Sequence, residues 1–172
     1  MATSAGDKAF VSEWKILPEL IKDSFQKTFW SEEREYLADY VDGNYKNWAI
    51  RPNMLAATFL PYSPLDREQK KSIISKVRNT LLTPRGLRTL APEDSAYKGE
   101  CGSTAREQAE AAHQGSVYPF LIFPFVKSYL DIHNAGGLSF VKNILNEFEP
   151  VMSDNCIGTI SEFYEGNPPF HA

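Results

Sequence analysis

Four short stretches of this chain gather carboxylates, cationic and amide groups and aromatic rings, the residue types that proton transfer and polar ligand binding use. Toward the C-terminal end, "TISEFYEG" sets Glu162 between Ile160 and Phe163, three residues before Glu165. Apolar neighbours disfavour a charged carboxylate and raise its pKa, which prepares a glutamate for acid or base work. The same residue would equally suit a solvated loop. Upstream, "HQGSVYPF" offers the polar groups of His113 and Gln114, the close backbone approach that Gly115 permits, and the rings of Tyr118 and Phe120. Its plain alternative is a helix N-terminus with a satisfied histidine and core aromatics. "GLRTLAPEDSAYKG" combines Arg88, Glu93, Asp94 and Tyr97 in a loop bounded by glycine and proline. Arg51-Pro52-Asn53 opens an apolar segment, where it serves as well for capping and packing as for binding.

The bulk properties narrow the partners. Aromatic residues make up 13% of the chain, eight of them tyrosine and three tryptophan. Such rings pair a flat apolar face with a polar handle, which fits a sugar as readily as a core. A net charge of −4 leaves no electrostatic footprint for nucleic acid or an anionic membrane. No stretch approaches the roughly 20 apolar residues of a membrane span. The opening "MATSAGDKAF" has neither the basic nor the apolar region of a signal peptide, so a cytoplasmic location is expected. Cys101 and Cys156 belong to no CxxC pair and are expected as reduced thiols. His113, His133 and His171 show no metal-ligand spacing, so neither metal nor cofactor is expected.

With 172 residues, 42% of them apolar, the chain suffices for one core, and a single domain over 1–172 is expected. From Asp7 to about Trp30, Phe10, Trp14, Leu17, Ile21, Phe25 and Phe29 recur at helical spacing. This predicts one amphipathic helix, kinked or broken at Pro18. Residues 31–48 read as a loop with a short strand near Tyr36 to Val41. A short helical segment follows Pro52. Asp66-x-x-Gln69 forms a possible capping box for a helix that buries Ile73, Ile74, Val77 and Leu81 and ends at Thr83-Pro84-Arg85-Gly86. Residues 84–112 carry no clean periodicity and read as a long functional loop. Val117 to Leu130 predicts a helix kinked by its prolines, stopped at Asn134 and Gly136-Gly137. Leu138, Val141, Leu145 and Phe148 mark a last helix.

Taken in order, "IRPNML", "LPYSPL", "LLTPRGLRTLAPEDSAYKG", "AAHQGSVYPF" and "GTISEFYEGNPPF" closely resemble the C-terminal part of the amylo-α-1,6-glucosidase domain of glycogen debranching enzymes. The likeness covers most of the chain, with residues 31–172 as the resembling region and 1–30 as an opening helix. The resemblance implies a mainly α fold, part of an (α/α)6 toroid of helical hairpins whose long loops cluster at one end around a glucose pocket. It implies inverting hydrolysis of α-1,6-linked glucose, with glycogen or limit dextrin as the α-glucan partner. Inversion uses two carboxyl groups roughly 6.5–9.5 Å apart, one protonating the leaving oxygen and one activating water. By the family motif Glu162 is the general base. Arg51, Arg88, His113, Gln114, Tyr118 and Phe120 fall on positions that would line or support the pocket.

Several residues depart from the family pattern. Tyr118-Pro119-Phe120 replaces Trp-Pro-Trp, Ala112 replaces a tyrosine, and Asn167 stands where aspartate is common. The Gly-Arg-Asp motif that carries the family's general acid is not found, and a whole toroid takes on the order of twice this length. The expectation is therefore about the second half of a barrel, inactive by itself, that associates with the missing half or with itself. The alternative is a non-catalytic helical carbohydrate-binding or protein-interaction module derived from the same fold.

Overall fold

The computed structural model describes residues 3–153 and 157–172; Cys156 lies outside the described residues. Two helices open the chain. Asp7 caps α1 (Lys8–Trp14) by accepting the Phe10 N–H at 3.0 Å. α2 (Leu17–Phe29) begins with Pro18 in its first turn. A proline there sacrifices no hydrogen bond, so it starts a helix rather than kinking one. Of the kink or break expected at Pro18, the structure has the break, at Lys15 and Ile16 just before that proline, so 7–30 holds two helices. The expected apolar face is not buried: Phe25 and Phe29 lean on the core, whereas Phe10, Trp14, Leu17 and Ile21 face solvent.

Two small antiparallel ladders replace the single strand expected in 31–48. β1 (Trp30–Ser31) pairs with β2 (Tyr36–Leu37), and β3 (Tyr40–Asp42) pairs with β4 (Tyr45–Asn47) across the turn at Gly43. A 3-10 turn, Pro52–Leu55, then leads into α3 (Ala56–Phe59). α4 (Arg67–Thr80) has the expected capping box. Asp66 accepts the Gln69 N–H at 2.8 Å, and the Gln69 side chain accepts the Asp66 N–H at 3.0 Å. Ile73, Ile74, Val77 and Leu81 are fully buried, as their spacing predicts.

The stretch 84–112, expected to be a loop, holds regular structure. β5 (Leu82–Thr83) turns at Pro84-Arg85 into β6 (Gly86–Arg88), and α5 (Ala105–Gln114) follows. α5 is polar nearly all round and buries only Ala111, so it leaves no apolar period to find. Its N-terminus carries the sign instead: Thr104 and Glu107 form a reciprocal capping box. The backbone N–H and hydroxyl of Thr104, with the Ser103 N–H, hold the Glu107 carboxyl below its usual pKa. His113 and Gln114 consequently close a helix C-terminus; they do not open a helix.

β7 (Val117–Tyr118) completes an antiparallel sheet in the order β5-β6-β7, with Arg88 opposite Val117. A 3-10 turn, Pro119–Leu121, leads into α6 (Ile122–His133), and another, Asn134–Gly137, joins it to α7 (Leu138–Asn146). Pro124 lies in the first turn of α6, where its absent N–H would have had no intrahelical partner. α6 packs on α3 and α4 around Phe125, which is fully buried. The hydroxyls of Thr58 and Ser128 meet at 2.7 Å across that contact, so neither buried oxygen is left unpaired. Among the described residues the fold is mainly helical, with three small sheets. No described helix is long and apolar enough to cross a membrane.

The buried face of α7 differs from the expected one. Val141, Ile144 and Phe148 turn inward, while Leu138 and Leu145 are 48% and 53% exposed. Ile144→Ala should therefore cost about 2–4 kcal/mol in denaturant unfolding, and Leu145→Ala under about 0.5 kcal/mol. Equal losses would contradict this orientation of the helix.

Candidate functional site

The site is assembled around Arg51, which stands in extended backbone just before the 3-10 turn. Its Nη1 donates to two carbonyls, that of Thr89 at 3.0 Å and that of His113. Nη2 donates to Gln114 Oε1 at 2.8 Å, and Nε lies 3.5 Å from Asp39 Oδ2. Asn53 Nδ2 donates to the other Asp39 oxygen at 2.8 Å. A planar, always-charged fork is the side chain that can serve acceptors in several directions at once. It joins the β2–β3 connection, the loop after β6 and the C-terminus of α5.

Gly115 allows that junction to close. It caps α5 at φ +154°, and a Cβ there would overlap the Lys98 carbonyl and the Tyr97 ring. Its N–H donates to Thr89 Oγ1 at 2.9 Å. Beside this network lies a cavity of ≈ 500 Å³ whose walls include Asp39, Tyr40, Asn53, Asp94, His113 and Gln114. Of the sequence-predicted residues, Arg51, His113 and Gln114 meet here. A larger groove, ≈ 910 Å³ and mostly apolar, runs between α2 and residues 53–64. It shares Asp39 and Asn53 with the smaller cavity but contains none of the predicted residues. The polar cavity is the better candidate because hydrogen-bonding groups converge on it.

Tyr118, Phe120 and Glu162 form a second group. Val117 and Tyr164 exchange backbone hydrogen bonds at 2.8 and 2.9 Å, laying the C-terminal segment against β7. Tyr118 then contacts Phe120 and Phe163, with ring centroids 5.6 and 5.9 Å away. Burial, with lesser contributions from the charges of Glu162 and Cys101, raises the Tyr118 pKa above its usual 10. A phenol is protonated at neutral pH even at its ordinary pKa, so the hydroxyl can donate. Glu162 is exposed and, among the described residues, makes no hydrogen bond or ion pair. Its charge reaches the Tyr118 ring, and its apolar sequence neighbours do not enclose it.

Arg88 anchors the same segment. Its Nε donates to the Gly166 carbonyl at 2.9 Å, and its guanidinium lies 5.8 Å from the centre of the Phe170 ring. Gly99 accepts the N–H groups of Gly166 and Asn167 at 2.7 and 3.1 Å, and the Tyr97 hydroxyl donates to Asn167 Oδ1 at 3.1 Å. Glu165 accepts the Cys101 N–H at 3.3 Å. Among the described residues no group of His, Cys, Asp and Glu is arranged to hold a metal ion.

A family model described as amylo-alpha-1,6-glucosidase matches residues 3–172. The chain belongs to the amylo-alpha-1,6-glucosidase family. No curated protein matches its sequence. Within this family member, Asp39 lay outside the motif runs, whereas Asn53, Thr89 and Phe163 stood inside them without being given a role as site residues.

Arg51 supplies the site's most direct stability test. A lysine ammonium is a point charge and cannot reach acceptors on three separate segments. Arg51→Lys should cost about 2 kcal/mol in thermal or denaturant unfolding, since hydrogen bonds from a charged donor are lost. It should also speed hydrogen exchange at Gly115 and Ser116. Unchanged unfolding and exchange would contradict the role of the guanidinium as a hub.

Proposed function

We propose that this chain forms the base side of an α-glucan site that works on α-1,6-linked glucose. The carrying observation is Glu162: a solvent-facing carboxylate without a partner among the described residues, whose charge reaches the Tyr118 ring that contacts Phe120 and Phe163. Such a group is free to take a proton from water. Rings of this kind hold a pyranose by its apolar face, and the protonated Tyr118 hydroxyl is a donor for a sugar oxygen. The polar cavity beside Arg51 supplies further partners for hydroxyl groups. Arg88 positions Glu162 indirectly, through the segment it anchors.

In an inverting mechanism Glu162 would deprotonate a water attacking the anomeric carbon. A second carboxyl group across the ring would protonate the departing oxygen. That acid is proposed to come from outside these residues, as part of an (α/α)6 barrel to which α2, α3 and α6 contribute. The chain alone should then bind isomaltose or a maltooligosaccharide in calorimetry without releasing glucose from a limit dextrin. Glu162→Gln should leave that binding within about twofold, because the amide keeps its size and hydrogen bonding. Glucose release abolished by Glu162→Gln would place the acid within this chain. Absence of any glucan binding would contradict the reading.

One observation favours an interaction role alongside this. A closed monomer of 19.4 kDa exposes about 8,500 Å², whereas this chain exposes 10801 Å². The surplus of about 2,300 Å² lies in the range that one subunit of an obligate homodimer buries. Phe10, Trp14, Ile16, Leu17, Leu20 and Ile21 form its apolar face, continuous with the groove along α2. At seven residues α1 is too short to persist alone, and it buries nothing in its own chain. Residues 7–29 carry four lysines and four carboxylates, so two such faces meet without net repulsion. We therefore propose a second copy of this chain as the occupant. Sedimentation equilibrium should show a dimer that Ile21→Glu converts to monomer with unchanged helix content. A wild-type monomer at all concentrations would contradict self-association, and uptake of another helical segment by that monomer would assign the face to that partner.

A further inference from the structure

The β3–β4 hairpin has features that the proposed site does not use. Tyr40 and Tyr45 both project from it, 48% and 57% exposed, with ring centroids 6.0 Å apart. In the ladder Tyr40 faces Asn47 and Asp42 faces Tyr45, so the two tyrosines are diagonal neighbours across the strands. A pair of strands only three residues long is marginally stable by itself, yet this one is held at its base. The Asp39 N–H donates to the Asn47 carbonyl at 2.9 Å, and Asn47 Oδ1 accepts the Ala49 N–H at 2.8 Å. Asp39 is in turn fixed by Arg51 and Asn53. The hairpin is therefore tied into the polar network at its base, where the Tyr40 ring stands beside Asp39, and the Tyr45 ring lies next to it toward the Gly43 turn.

Tyr40 is also a wall of the ≈ 500 Å³ cavity, together with Asp39, Asn53, Asp94 and His113. An exposed ring standing over convergent carboxylate and amide groups matches what a pyranose presents. Its C–H face is apolar and stacks on an aromatic ring, while its equatorial hydroxyls are paired donors and acceptors. The cavity lies within the size range of small-ligand pockets and is too polar for an aliphatic ligand. Exposed rings at such a mouth carry an energetic cost in water that a stacked ligand removes.

We propose that the Tyr40–Tyr45 hairpin is a glucosyl-binding platform, which holds a unit of the α-glucan chain at the mouth of the Asp39–Asn53–His113 cavity. The proposal rests on the α-glucan reading above and adds a recognition surface separate from the Tyr118 cluster. A cross-strand tyrosine pair could equally serve hairpin stability alone, so the test must separate flat-ring stacking from packing. Leucine preserves apolar packing but removes the flat face; tryptophan preserves the face.

Calorimetry with maltotetraose provides the measurement. Tyr40→Leu and Tyr45→Leu should each weaken binding about tenfold, with unfolding midpoints close to wild type. Tyr45→Trp should bind within about threefold of wild type. If both leucine variants bind as wild type does, the platform is overturned while the α-glucan reading stands. If the wild type binds no maltotetraose or isomaltose, both fall together. If a leucine variant unfolds, binding by the corresponding phenylalanine variant decides: retention supports stacking, and loss of binding with an intact fold overturns it.

Discussion

One guanidinium holds the site region together. Arg51 reaches acceptors in segments 38 and 62–63 residues further along the chain, as well as Asp39 before it. None of these segments is long enough to be stable alone. β6 and β7 have three and two residues, and α5 buries a single alanine. Their positions therefore follow from tertiary contacts and not from local propensity. A charge that is only 19% exposed must be fully engaged to be tolerated, so the same requirement that satisfies Arg51 also fixes the cavity.

The C-terminal segment shows how far this organisation extends. Terminal residues usually fray, but residues 161–171 are tied at many points. Tyr164 pairs with Val117, Arg88 holds Gly166, Gly99 holds both Gly166 and Asn167, and Glu165 donates its N–H to the His171 carbonyl. Glu162 sits inside that framework, and among the described residues its carboxylate makes no hydrogen bond or ion pair. A firmly tied backbone carrying an unengaged carboxylate is the arrangement that the proposed base role requires. Asn167 accepts the Tyr97 hydroxyl and fills the space beside Gly99.

What was legible in the sequence followed the strength of local rules. α4 declared itself through Asp66-x-x-Gln69 and a clean apolar stripe, and the structure matches both. α5 was hidden because its burial is nearly nil; only Thr104-x-x-Glu107 marked its start. The ladders at 30–47 were too short to leave an alternating pattern. For α7, Leu138 and Leu145 fit a helical period as well as Val141 and Ile144 do, and neighbouring elements chose between them. In the site, motif residues such as Arg51 and Gln114 were recognisable by type. Their partners were not, because backbone carbonyls of Thr89 and His113 have no sequence signature.

The proposed α-glucan surface is one that Arg51 builds and Glu162 completes. It is tested most directly by nuclear magnetic resonance of the chain titrated with isomaltose. Shifts are expected at the Arg51 Nε–H, the Gln114 side-chain amide and the aromatic resonances of Tyr118 and Phe163, all following one binding curve. Shifts confined to the α1–α2 face, or none at saturating sugar, would contradict it.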